Sequence, residues 1–138
     1  MKTWRDENGD TWPCEKILVM VNHKLTTDQE DGLGGYNLVY LPEEIQGHLR
    51  NCGTDLEWLA WVAEWILNFC EEQDITEILC PAGSPAFMAI FAVKASKGRF
   101  TLIFSHSVRE FKEETLSDGS VSKTNVFRHV EYLGVFPE

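Results

Sequence analysis

Residues Lys16 to Val21 read KILVMV, an unbroken apolar run behind one lysine, set between a charged segment and the polar stretch Asn22 to Gly35. Side chains point alternately to the two faces of a strand, so a run that does not alternate needs cover on both faces. That requirement points to a parallel sheet with helices on each side. Arg99 to Phe104 (RFTLIF) repeats the pattern, and Asn37 to Leu41 and Thr76 to Cys80 supply two further short strands.

The segments between the strands read as helices. Pro42 with Glu43 and Glu44 forms a helix start, since proline fits the first turn and carboxylates favour it. From Thr54 to Gln73, Thr54 with Glu57 makes a capping box, and Leu59, Val62, Ile66 and Phe69 recur at helical spacing. Beside them runs a second stripe, Trp58, Trp61 and Trp65, with two readings open. It packs under the loop Gly32 to Tyr36 or the N-terminal tail, or it forms a dimer face. Ser84 caps a third helix, Pro85 to Ser96, with Pro85 at its first position. Strand, helix, strand in this order predicts a right-handed parallel crossover.

The last third alternates polar and apolar residues from Arg109 to Leu116 and from Ser120 to Tyr132, around Ser117-Asp118-Gly119. An Asp-Gly pair between alternating runs predicts a hairpin. The expected fold class is therefore α/β, Rossmann-like, with a mostly parallel sheet flanked by helices and a C-terminal antiparallel β-hairpin. Residues 1–15 read as a loosely ordered extension and residues 16–138 as a single domain.

Charge narrows the function. The 138 residues carry 22 acidic and 12 basic side chains, a net charge of -10. Long nucleic acid and anionic membranes are gripped by clustered Lys and Arg, so neither is an expected partner. No secretory signal is legible in the first sixteen residues and no stretch is long and apolar enough to span a bilayer, which leads to the expectation of a cytoplasmic protein. The cysteines, at 14, 52, 70 and 80, form no CxxC, and no His, Cys or carboxylate spacing matches a zinc pattern. Reduced thiols, no metal and no cofactor are expected, with Cys70 and Cys80 as small apolar fillers.

Ligands of open α/β sheets bind beyond the carboxyl ends of the strands. Three such ends can be read: Asn22-His23-Lys24-Leu25-Thr26, Ala82-Gly83-Ser84 and Ser105-His106-Ser107-Val108-Arg109. None carries a carboxylate, although the chain is acidic. Backbone N–H groups at Gly83 and Ser84 suit an anion, while helix capping is the competing role of Ser84. No GxGxxG, GxxxxGK[ST] or GxSxG occurs. His23 stands beside Lys24, whose charge favours the neutral imidazole of a base; the alternative is a hydrogen-bonded loop residue.

The segments ILVMVNHKLT with Gln29, NLVYLPEE, the Gly-Ser turn before an apolar helix, and DGSVSKTNVFRHVEYLGV together resemble the small CRISPR-associated accessory proteins of type III systems. Those are stand-alone relatives of the CARF (CRISPR-associated Rossmann fold) sensor domains, here of the Csx-twenty type. The resemblance implies a homodimer that binds cyclic oligoadenylate and, in several members, linearises it as a ring nuclease; a symmetric dimer suits cyclic tetra-adenylate. It places His23, Lys24 and Arg109 in catalysis. Its other motif positions fall on Asn22, Thr26, Ser105, Ser107, Asp118, Gly119, Ser120, Lys123, Phe127 and His129; of these Asn22, Thr26, Ser105, Ser107, Asp118 and Lys123 are expected in ligand binding, joined by Ala82, Gly83, Ser84 and His106 from their place at the strand ends. A non-catalytic sponge or sensor of the same messenger is the alternative it leaves.

Overall fold

The structure, a computed structural model, describes residues 3–5, 11–13, 15–20, 24–81 and 84–136. Its elements in chain order are β1 (Thr3–Arg5), β2 (Thr11–Pro13), β3 (Glu15–Val19), α1 (Thr27–Gly32), β4 (Tyr36–Tyr40), α2 (Glu43–Arg50), α3 (Leu56–Glu72), β5 (Glu77–Leu79), α4 (Pro85–Ala95), β6 (Thr101–Thr115) and β7 (Val121–Val135). In the N-terminal segment β1 lies antiparallel to β2.

Five strands form the main sheet in the order β4-β3-β5-β6-β7. The first four are parallel and β7 runs antiparallel to β6. The fold is thus the expected Rossmann-like α/β sheet closed by an antiparallel hairpin. The chain steps one way from β3 to β4 and the other way from β4 past β3 to β5 and β6. Right-handed crossovers then require α1 on one face and α2, α3 and α4 on the other.

The core divides accordingly. Leu18, Ile78 and Leu102 meet Ile45, Leu59, Ile66, Phe87 and Phe91, whereas Ile17, Val19, Leu79 and Ile103 meet Leu25, Leu33 and Tyr36. Ile17, Leu18, Val19 and Met20 serve the two faces in turn, which is why the run cannot alternate. Cys70 and Cys80 are buried fillers on the three-helix side. Burial pushes both thiols up to about 12, with Glu71 adding to the effect at Cys70, so they stay protonated.

The polar stretch after β3 contains α1, six residues closed at the front by a Thr26–Gln29 capping box. Two readings need correction. Asp55, not Thr54, caps α3, its carboxylate accepting from the N–H groups of Glu57 (3.0 Å) and Trp58 (3.4 Å). A carboxylate answers the positive helix end better than a hydroxyl can. The tryptophans do not lie under the loop 32–36, which belongs to the opposite face of the sheet. Trp58 and Trp61 stack with centroids 4.9 Å apart and remain 39% and 46% exposed, with His48 of α2 edge-on to Trp58.

The fourth parallel strand does not end at Phe104 as expected. It continues to Thr115 because β7 stays paired to it, with a register shift between His106 and Ser107. At the tip Gly119 sits at φ +85°, as the Asp-Gly pair requires, and Asp118 Oδ1 accepts from the Ser120 N–H at 2.9 Å. Beyond Phe104 the two strands form a ribbon about 30 Å long, from some ten residues at 3.3–3.4 Å each.

Candidate functional site

The start of α1 and Ser105 of β6, just past the parallel-paired part of that strand, come together with β7 at the root of the ribbon. Thr26 and Gln29 are fixed there by their own capping box: the Thr26 N–H donates to Gln29 Oε1 (3.0 Å) and the Gln29 N–H to Thr26 Oγ1 (3.3 Å). Gln29 Nε2 then reaches across the sheet to donate to Ser105 Oγ at 3.5 Å. Ser105 Oγ lies 2.5 Å from His129 Nδ1, a hydrogen bond whose direction follows the imidazole proton. Tyr132 completes the cluster: its hydroxyl donates to the Gln29 carbonyl at 2.8 Å, and its ring lies 4.4 Å from that of His129. Burial raises the Tyr132 phenol to about 12, which keeps it a donor at any physiological pH.

The register shift makes the serine–histidine contact. Ser105 pairs with Tyr132, and after the shift Ser107 pairs with His129, so one residue of β7 is left over and the histidine is brought back towards Ser105. Gly32 makes the packing of α1 possible. A Cβ there would lie 2.8 Å from Tyr132 Cε2, inside any real contact, and 3.8 Å from His129 Nε2. Gly32→Ala is expected to lower stability by about 1–3 kcal/mol through overpacking. Urea unfolding measures it, and a loss below about 0.5 kcal/mol, the level of a neutral surface change, would show that Tyr132 moves aside freely.

Next to this cluster opens a crevice of about 380 Å³, lined by Thr26, Asp28, Gln29, Ser107, Glu110, Lys112, Val126, Arg128 and His129. Its size falls in the range of small-molecule sites. Two carboxylates and two cations line it, so the carboxylate-free character of the strand ends does not extend to the whole crevice. Arg128 Nε donates to Glu110 Oε1 at 2.7 Å across the ribbon. A second cavity, about 390 Å³, lies at the opposite end of the strands, between Asp74, Thr76, Arg99 and Phe100. It is at the amino ends of β5 and β6, away from every strand-end residue considered above.

The structure brings Thr26, Ser105 and Ser107 together at this crevice. Lys24 is exposed just before Thr26, and Arg109 lies farther out on β6, paired in register with Phe127. His106 is exposed and pairs in register with Glu131. By the alternation of a strand it faces away from Ser105. Asp118 and Lys123 stand at the far end of the ribbon, where Lys123 pairs with Glu113 at 3.6 Å, so neither reaches the crevice. Ser84 caps α4, its Oγ accepting from the Phe87 N–H at 3.3 Å. Asn22, His23, Ala82 and Gly83 lie outside the described residues.

Gln29, Tyr132, Lys112 and Arg128 carry no site role in the sequence reading. Thr26-x-x-Gln29 is a signal for the first; the others depend on the register of the ribbon. Among the described residues no group of three or more His, Cys, Asp or Glu could hold a metal ion, and no helix is long and apolar enough to cross a membrane. The family model that matches this chain is that of the Uncharacterized protein MJ1673 family, over residues 15–133. No curated protein and no solved structure matches it.

Proposed function

The chain belongs to the Uncharacterized protein MJ1673 family, and for this member of it we propose binding and linearisation of a cyclic oligoadenylate at the crevice beside Gln29 and His129. The observation that carries the proposal is the buttressed histidine: His129 lines the crevice while Ser105, itself held by Gln29, contacts its Nδ1. With Nδ1–H donated to Ser105 Oγ, the Nε2 lone pair is the proton acceptor, the tautomer being set by the bond the other nitrogen makes.

The chemistry needs no metal. The ribose 2′-OH attacks the adjacent 3′-phosphorus, the 2′-O–P bond forms and the bond from phosphorus to the next 5′-oxygen breaks. The products are a 2′,3′-cyclic phosphate and a 5′-hydroxyl. His129 takes the 2′ proton, water protonates the leaving 5′-oxygen, and His129 then gives its proton to the hydroxide left behind. Lys112 offers charge to the phosphate oxygens, and Lys24 and Arg109 are the further cations of this edge. His23, expected as base or orienter, lies outside the described residues. A ligand of one or a few nucleotides matches the crevice; cyclic tetra-adenylate would use the crevices of two copies related by a two-fold axis.

One observation favours the second reading, a sponge or sensor that binds without cleaving. Arg128 is already engaged by Glu110, which reduces the positive charge left for a developing phosphorane. Incubation with radiolabelled cyclic tetra- and hexa-adenylate in EDTA separates the two. Linear product with a 2′,3′-cyclic phosphate end supports cleavage, and a retarded but intact ring supports the sponge. If neither ring is bound or cut, cyclic oligoadenylate is not the ligand.

A further inference from the structure

The outer side of α3 carries a row of aromatic side chains left partly outside the core. Trp58, Trp61, Trp65 and Phe69 follow one another at spacings of three, four and four residues, which sets them along one side of the helix over about 16 Å at 1.5 Å per residue. Trp58 and Trp61 stack with their planes 15° apart, and His48 of α2 meets both rings edge-on. Farther along, Trp65 stacks on Phe69. Leu56, in the first turn, is 63% exposed. An exposed apolar patch rimmed by polar residues marks an interaction site.

We propose that this face binds a basic, arginine-bearing segment of another protein. Charge selects the occupant. From Asp55 to Asp74 the chain carries six carboxylates and no Lys or Arg. Glu57 and Glu64 stand one helical turn to either side of Trp61, four residues before it and three after, so a cation laid on the Trp61 ring has a carboxylate on each side. A guanidinium suits that place better than an ammonium, because it is planar, stacks on an indole and donates in its own plane to carboxylates. The cations of the chain itself leave the place open. Arg50 is held by Glu43 at 2.6 Å, and Lys94 of α4 comes only to 3.9 Å from Glu64 Oε2, beyond hydrogen-bond distance. A second copy would bring the same six carboxylates and be repelled, as would nucleic acid or an anionic membrane. Trp65 and Phe69 pack against the three-helix side of the sheet, so this face is separate from the crevice lined by α1 and the ribbon.

Fluorescence anisotropy of a labelled arginine–serine repeat peptide, titrated with the full chain, tests the proposal, with lysine–serine and glutamate–serine repeats of the same length for comparison. Saturable binding of the arginine peptide is expected, weaker for lysine and absent for glutamate. Trp61→Ala is expected to weaken it about five- to tenfold, with Trp61→Phe in between, at unchanged far-UV circular dichroism. Glu57→Gln together with Glu64→Gln should weaken it at least about threefold in low salt. Glu113→Gln with Glu114→Gln, the same change of charge placed on the ribbon, should not. Equal losses from the two double variants, no loss from Trp61→Ala, or a lysine peptide bound as tightly would mean general attraction to an acidic protein and overturn the proposal. So would an arginine peptide that does not bind, or a wild-type dimer in sedimentation velocity that Trp61→Ala dissociates, which assigns the face to a second copy.

Discussion

Replacing His129 by Ala is expected to slow the proposed linearisation of a cyclic oligoadenylate by 10² to 10⁴-fold, the usual share of a positioned general base. The loss should fall on kcat, because the imidazole takes a proton that moves only as the 2′-oxygen attacks. Ser105→Ala is the informative companion. It leaves the ring in place but removes the oxygen 2.5 Å from Nδ1, so a smaller fall in kcat with an intact fold identifies Ser105 as a positioning residue. His129 also packs on Tyr132, and His129→Gln, which retains polar bulk, controls for lost packing. If His129→Ala turns over at the wild-type rate while His23→Ala does not, the base lies at the end of β3 and not on β7.

The largest expected effect on stability is that of Phe91→Ala, at about 3–5 kcal/mol. Phe91 has no exposed surface and lies with its ring centroid 5.7 Å from that of Phe87, on the helix that packs against α3. Truncation removes the transfer free energy of the ring and leaves a cavity that α3, α4 and the sheet close only incompletely. Domains of this size are stable by about 5–15 kcal/mol, so the variant should still fold at 25 °C. Urea unfolding should show a lower midpoint with the same slope. A loss below about 1.5 kcal/mol, the usual limit for a volume-conserving swap, would mean that the three-helix side relaxes far more than its burial implies.

Much of the architecture follows from local pattern. KILVMV and RFTLIF become parallel strands of one sheet because apolar side chains on both faces leave few alternatives, and the Asp-Gly pair marks the hairpin tip. The failures share a cause. α1 is six residues long with no buried residue of its own, so no apolar period betrays it and only Thr26-x-x-Gln29 announces it. β6 runs on past Phe104 through Ser105 to Val108, read as a strand end, and joins the alternating run from Arg109 in one strand, because its partner β7, rather than burial, keeps it extended. The contact of Ser105 with His129 depends on one unpaired residue in β7, and a register shift leaves no mark on composition or spacing. Gly32 is the exception that could be read in reverse, a glycine where a neighbouring ring needs the room of a side chain.

The hydrogen bond from Tyr132 to Gln29 joins residues 103 positions apart. On a ribosome, where chains emerge at about 5–20 residues per second, the helical side of the sheet has its strands β3, β4 and β5 long before Tyr132 exists. Gln29 then has neither the phenol nor Ser105–His129 to hold it, and a six-residue helix does not persist on its own. The crevice is accordingly the last region of the molecule to be completed as the chain grows, because Arg128 and His129 of its lining and the Tyr132 behind them come from the final strand.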